Sequence, residues 1–559
     1  MRPKVAVFAI LCGIWAVGAS QVGVVDTIGH TFSDYGTPGP ALRMLVNAPG
    51  HGIHAIWYYQ DTTNRQDWDT TANTRYNFYD YTTHQWWRDG VDVFAGSISL
   101  EGNVDADTDG AAVIAASSFS FEPHATGCFV PLVARDIHVG AGVFEYAPGA
   151  PTLRYYAYPC IGINTNVYYQ LAMEADRDFT PVAWSRMTQW PAWDTAEVLP
   201  SRFGYEAHNI ATSKVPGSNK VCITWVDFDI TGLRSDSGFY RESPNGGDNW
   251  YPATLLEHPP AFSPGSDTVP VFDETSIFPF YDKFDRLHIV ANVSPRVRDT
   301  FFYTVPSEIW HFCPDNTPQW TRICRAEAHV LLAPTAGGRP YACRPSIGED
   351  RYGGLYVAWE QSDSFDFEPV TNRLRSDIFY AQDNGDHGAS WKQAVRITQQ
   401  GTWSCLCPSA MDRFPDDTFR VLYTIDQQAG CYWSGEGAKP TDNPVVVQKV
   451  PVTVGIAEGR ERTAIGSELS VWPNPFKDNV RISYELPAAG NVSLQVCDVA
   501  GRTVRTLVNG LQKAVRISVD WDSRDELGRL VPRGVYILHE EAQAAGFKLQ
   551  AVRKLVVTR

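Results

Sequence analysis

Three acidic residues at alternate positions, Asp105, Asp107 and Asp109, followed by Gly110, make the sharpest chemical pattern in the sequence. Carboxylates spaced this way point at one hard cation, and the glycine permits the tight turn of a calcium loop. The position that would supply the closing Glu is Ala116, inside an apolar run, so the loop cannot close as an EF-hand does. The same residues also suit an ordinary Asp-Gly turn ahead of a strand. Calcium at these three residues is the cofactor expectation; no other cofactor is expected.

The remaining candidates are scattered. Hydrolysis of a glycosidic bond needs two carboxylates, and Asp227, Asp229, Asp363, Asp366 and Glu368 are available, but spacing selects no pair among them. Acidic loops on a solvated surface read the same way. Arg339, Arg344 and Arg351 stand apart in the chain, and His51, His54, His84 and His124 lack the spacing of a metal centre. Cys405-x-Cys407 lacks the second ligand pair that a zinc site needs. There is no Gly-x-Ser-x-Gly elbow, phosphate loop or dinucleotide fingerprint. No catalytic residue is assigned. Tyr58-Tyr59, Tyr79 to Tyr81 and Trp86-Trp87 form an aromatic-rich stretch, mostly packing, from which exposed rings could stack on sugars.

The elements that must position these residues recur. A turn rich in Gly, Asp or Asn leads into alternating apolar residues at Gly52–Trp57, Asp109–Ile114, Asn166–Leu171, Asn219–Trp225, Asp285–Val290, Gly354–Trp359 and Asp417–Tyr423. Seven copies some 50 to 70 residues apart suit four-stranded propeller blades enlarged by loops. Sandwich domains would repeat at about 90–100 residues. Arg344-Pro345 and Tyr158-Pro159 place a proline where a strand should start. Ser243-Pro244-Asn245-Gly246-Gly247-Asp248-Asn249-Trp250 and Asp386-His387-Gly388-Ala389-Ser390-Trp391 resemble the Asp-box turns of sialidase-like propellers. Those boxes are structural. The resemblance implies an arginine cluster and a Tyr–Glu pair in the catalytic members, and the Arg-Ile-Pro motif that would mark the cluster is missing here.

Composition points out of the cell. Residues 1–20 carry Arg2 and Lys4, an apolar core from Val5 to Val17, and small residues Gly18-Ala19-Ser20, the three parts of a secretory signal. No later stretch is apolar and long enough to be expected to span a membrane. The 559 residues hold 44 Gly, 37 Pro and 13% aromatics, the profile of an all-β chain with many turns. Net charge is −16, spread unevenly: residues 467–559 carry +3 and residues 21–466 carry −21. So acidic a middle argues against a nucleic-acid partner, whose phosphates attract basic stripes. Ten cysteines follow the signal, and Cys313 and Cys324, flanking a hairpin turn, are the pair most readily bridged.

The end of the chain has its own pattern. Pro473-Asn474-Pro475-Phe476 opens it, and sets such as Val480, Ile482, Tyr484, Leu486 alternate along short strands. Asp498-Val499-Ala500-Gly501-Arg502, Trp521-Asp522 and Gly534-Val535-Tyr536 follow, and a basic-apolar strand ends at Thr558. This block resembles the type A C-terminal sorting domain of type IX secretion cargo, an immunoglobulin-like sandwich. It is also similar to the immunoglobulin-like part of flagellar hook-capping proteins. The resemblance implies recognition by the outer-membrane translocon, cleavage, and in some members attachment to surface lipopolysaccharide. The expected organisation is a signal peptide (1–20), an all-β propeller (21–453), a linker (454–468) and an immunoglobulin-like sorting domain (469–559). The expected function is a secreted or surface-displayed, non-catalytic propeller that binds a protein or glycan; a glycan-active hydrolase is the alternative.

Overall fold

The computed structural model describes residues 22–558 except 35–39, 62–71, 88–89, 121–127, 149–155, 166, 175–181, 200–203, 228–236, 263–267, 273–275, 298–299, 302–306, 327–334, 336–338, 433–434, 453–469, 486–489, 499–501, 513–515 and 545–546. The signal segment, the linker, His124 and Asp229 lie outside the described residues. The chain divides into two compact units, 1–455 and 456–559. The described residues form no helix, and so none that could cross a membrane.

In the first unit, seven sheets of four to six strands follow one another among the described residues. Six occupy residues 45–92, 99–148, 156–198, 204–256, 268–326 and 342–396 in turn, the last of them adding the short strand Arg413–Phe414 in parallel to Ala342–Asp350. The seventh joins Ser404–Ala410, Thr418–Asp426 and Asn443–Pro451 to Val24–Thr31, which pairs antiparallel with Asn443–Pro451 as its outer strand. The start of the unit thus completes its last sheet, which closes a β-propeller. The early strands of neighbouring sheets pack together around a common centre. There the Met44 N–H donates to Ser409 Oγ at 2.9 Å, Ala410 N–H to Ser346 Oγ at 2.8 Å and Ile163 N–H to Asp105 Oδ2 at 2.8 Å. All seven recurring stretches of the sequence contribute an interior strand, among them Gly52–Tyr59, Ala112–Ser120 and Leu355–Phe367. Such a strand is covered on both faces, which is why Leu355 to Trp359 are all fully buried.

The box-like turns hold one sheet against its predecessor. In Ser243–Trp250, Ser243 Oγ accepts from Gly247 N–H at 2.8 Å, Asn245 Oδ1 accepts from Asn249 N–H at 2.9 Å, and Gly246 and Gly247 take φ of 71° and 86°. The Trp250 ring meets Trp184 of the preceding sheet edge-on, centroids 4.8 Å apart. In Asp386–Trp391, Asp386 accepts from Ser390 N–H and O–H, and Trp391 Nε1 donates to Thr321 Oγ1 of the preceding sheet at 3.1 Å.

Two expectations need correcting. Pro159 and Pro345 do not start strands; with Pro408 they sit inside Tyr156–Asn164, Ala342–Asp350 and Ser404–Ala410. Each follows a residue with positive φ, Tyr158 (54°), Arg344 (54°) and Cys407 (57°), at a break in strand register. A β-bulge leaves one residue unpaired, so the missing proline N–H costs nothing there. Cys313 and Cys324 are both free thiols. Register places Cys324 opposite Ile309, so Cys313 lies about 13 Å further along at ~3.3 Å per residue. A disulfide needs Cα atoms within about 7 Å.

The second unit has a three-stranded sheet (Ser470–Trp472, Val480–Glu485, Arg516–Trp521) and a four-stranded one (Gly490–Cys497, Thr503–Gln512, Gly534–Ala544, Phe547–Val557). Ile482, Tyr484 and Trp521 from the first and Val492, Leu494, Leu538 and Leu555 from the second share one core.

Candidate functional site

The turns after the innermost strands of five sheets enclose a cavity of about 430 Å³ at one end of the ring. Its walls include Val46, Ile163, Val215 and Pro216, and its titratable groups are His51, Asp105, Asp107, Asp109, Lys214, Asp412 and Arg413. The three aspartates singled out in sequence therefore share one wall, but their oxygens have partners. Buried Asp105 lies 2.9 Å from Lys214 Nζ and 3.6 Å from Arg43 Nη1, and also accepts the Ala106 and Ile163 N–H groups. Burial pushes its carboxyl up, but Lys214 and Arg43 outweigh that and hold it below the ordinary value. Burial pulls Lys214 down, with Asp105 opposing. Asp107 accepts from the Asp109 and Ala111 N–H groups and lies 2.8 Å from Arg135 Nε, while Asp109 is exposed at the rim. Arg413 is held by Glu349 at 2.9 Å and stacks over Phe280. Calcium at Asp105, Asp107 and Asp109 requires exchanging these contacts; among the described residues no group of three or more His, Cys, Asp or Glu is placed to hold a metal ion.

A second charged centre joins residues that stood apart in sequence. Arg339 Nη1 lies 3.3 Å from Glu360 Oε1, whose other oxygen accepts the Cys407 N–H at 2.9 Å. Arg344, raised on its bulge, is buried within electrostatic reach of both. Arg351 is elsewhere, paired with Asp417 at 3.0 Å. The carboxylate candidates are local fixtures. Asp366 pairs with Arg375 at 2.7 Å, Asp363 accepts from Gln400, and Glu368 accepts three donors from Val370 and Thr371. Asp227 ends the strand Val221–Asp227, away from these groups in the fold order.

A third cluster escaped sequence reasoning. His288 and His311, fully buried on neighbouring strands, meet nitrogen to nitrogen at 2.9 Å. His288 Nε2 is 3.2 Å from Asp282 Oδ2, and His311 Nδ1 is 3.3 Å from Thr321 Oγ1. Burial pulls His288 down, but Asp282 and the Cys313 side chain outweigh it and lift its pKa to about 9. Burial and the neighbouring His288 charge push His311 well below its usual value. The pair therefore holds one extra proton. A histidine inside an otherwise apolar strand was the available signal, since a buried polar ring must find a partner. His54 also lies within the fold, between Tyr76 and the Gly110 carbonyl, with its pKa pulled by burial to about 4. His84 sits in the turn before Gln85–Trp86.

In the second unit the opening motif clasps the last strand. Asn474 Nδ2 donates to the Lys554 carbonyl at 2.7 Å and its Oδ1 accepts the Val556 N–H at 2.9 Å. Phe476 continues the pairing through the Val556 carbonyl and the Thr558 N–H, and its ring packs on Trp521. Two turns of the form Asp-x-x-Gly-Arg recur: Asp498 holds the Arg502 N–H and Nε, as Asp525 holds those of Arg529. The side chain caps its own turn, fixing the strand ends.

Three comparisons bear on these units. No curated protein matches the chain. Among solved structures, a fungal alcohol oxidase of the AA5 family in complex with copper aligns at 11% identity and TM-score 0.42, over 97% of this chain and all of that one. The polysaccharide lyase Uly1 aligns at 9% and 0.41 (78% and 99% covered), and a Trypanosoma rangeli sialidase mutant at 11% and 0.35 (97% and 90%). At such identity and score the likeness says nothing about chemistry. Residues 470–558 match the family described as the secretion system C-terminal sorting domain. The end of this chain is a type IX sorting domain, which marks the protein for the secretion machinery and for the cell surface or the medium.

Proposed function

We propose that this is an exported, non-catalytic propeller that binds a protein or glycan ligand outside the cell, led across the inner membrane by residues 1–20. The cavity at the end of the ring is the proposed docking point. The observation that supports binding over catalysis is the saturation of its charged groups: Asp105 by Lys214 and Arg43, Asp107 by Arg135, Arg413 by Glu349. A general acid or base must be free to exchange a proton with substrate. Groups locked in internal ion pairs instead build a rigid polar floor beneath apolar walls, which suits recognition. The test is a glycan and protein array probed with the full-length secreted protein and with Val215→Trp, which fills the cavity. Retained wild-type signal in the variant removes the cavity from the account.

A second reading, a glycan-active hydrolase, draws on the convergence of Arg339 and Arg344 around Glu360. Turnover of chromogenic glycosides by the wild type, abolished in Glu360→Gln, would establish it.

A further inference from the structure

Beyond the ligand cavity, we propose that Asp34, Asp426 and Ser33 form a structural site for a hard divalent cation, calcium by ligand type, where the first unit closes on itself. Ser33 and Asp34 follow the strand Val24–Thr31 that completes the seventh sheet, and Asp426 ends an inner strand of the same sheet. All three are buried, with 3%, 3% and 1% of their surface exposed.

The surrounding backbone ties the two segments together. Asp34 Oδ2 accepts the Tyr432 N–H at 2.6 Å, and Asp426 Oδ1 accepts the Gln428 N–H at 3.0 Å. Asn443 bridges them, donating to the Ser33 carbonyl at 3.4 Å and accepting the Gln427 N–H at 3.2 Å. Each carboxylate thus spends one oxygen on a backbone donor. The other oxygens, Asp34 Oδ1 and Asp426 Oδ2, and the Ser33 hydroxyl oxygen have no hydrogen-bond partner among the described residues.

Buried oxygens in native proteins are almost always satisfied, and an uncompensated buried carboxylate is among the costliest groups a fold can hold. The nearby cation is Arg339, which is already 3.3 Å from Glu360, and the neighbouring Glu436 answers to Arg373 at 3.3 Å. Glu436 acts on Asp34 and Glu368 on Asp426, and Arg339 is within electrostatic reach of both aspartates. Two carboxylate oxygens and a hydroxyl are hard donors of the kind calcium selects, and backbone carbonyls and water complete its shell elsewhere. A cation here joins the first and last segments of the unit, so it would stabilise the closed ring. Neither segment alone signals this, because the ligands are nearly 400 residues apart in sequence.

The test uses the full-length secreted protein, stripped with EDTA and returned to buffers with or without calcium chloride. The expected result is a saturable rise of several degrees in the melting temperature of the first unit, absent in Asp34→Asn and Asp426→Asn and weakened in Ser33→Ala. Asp109→Asn, at the cavity rim, should respond as the wild type does. Three results overturn the proposal. One is a stripped wild type indifferent to calcium. Another is a calcium response that survives both Asn variants, or is lost in Asp109→Asn. The third is an Asp34→Asn protein more stable than the wild type at neutral pH without calcium dependence, which identifies a shared proton. Should the Asn variants not fold, wild-type titration by calorimetry and the Ser33→Ala protein still decide it.

Discussion

The buried pair His288 and His311 predicts a specific pH dependence. Replacing His288 by Gln removes the one group of the pair that carries the extra proton, while Asp282, His311, His387, Arg286 and Cys313 remain around it. Unfolded histidine titrates near 6.5 and folded His288 near 9. Below pH 6.5 both states hold the proton, and the full stabilisation is present. As pH rises through 9 the folded state loses it too, and the stabilisation is gone. A rise from 6.5 to about 9 converts to about 3 kcal/mol at 1.36 kcal/mol per tenfold change in proton affinity. His288 is fully buried, so solvent screening takes little from this figure. Guanidinium denaturation followed by tryptophan fluorescence at pH 6.5 and 9.5 gives the stability gap between wild type and His288→Gln. The gap should shrink by about 3 kcal/mol from the lower to the higher pH. Taking the difference cancels other titrating groups such as Lys214. A gap that is constant with pH, or that widens, refutes the one-proton account.

Three further outcomes follow from the contacts. Asp105→Asn leaves Lys214 and Arg43 facing each other without their shared anion, and should cost about 3–5 kcal/mol in chemical denaturation of the first unit. Gly388→Ala adds a Cβ 2.2 Å from His311 Cε1 at a φ of 76°, and should lower stability by about 2–3 kcal/mol; a neutral effect would show that this box turn does not hold the two sheets together. Asn474→Ala removes two exposed backbone contacts to the last strand, and should cost about 1–2 kcal/mol and speed hydrogen exchange at the Val556 amide.

What was legible in the sequence was local. An interior propeller strand is apolar on both faces and follows a turn, so stretches such as Gly354–Trp359 announced themselves. The tail was legible because its motifs are self-contained: Asp498 and Asp525 bond their own turns. Asn474 was visible as a motif residue, but its clasp on a strand 80 residues away was not. The sites were hidden for the same reason. Arg43, Asp105 and Lys214 come from segments in or beside three different sheets, and Arg344 reaches Arg339 and Glu360 from a bulge in an inner strand. Alternate spacing at Asp105, Asp107 and Asp109 suggested one cation, but the strand ends at Ala106: Asp105 pairs with Lys214, while Asp107 and Asp109, in the turn that follows, share Arg135. Proline beside a positive-φ residue reads in sequence as a strand boundary, although in three inner strands it marks a bulge.

We propose that this exported propeller recognises its ligand without changing it. The most direct measurement incubates the secreted full-length protein with a panel of polysaccharides and glycoproteins, separates bound from free material, and analyses both by mass spectrometry. The account predicts a ligand retained on the protein at unchanged mass, with retention lost in Val215→Trp. Release of shortened glycan by the wild type, and its disappearance in Glu360→Gln, would contradict it.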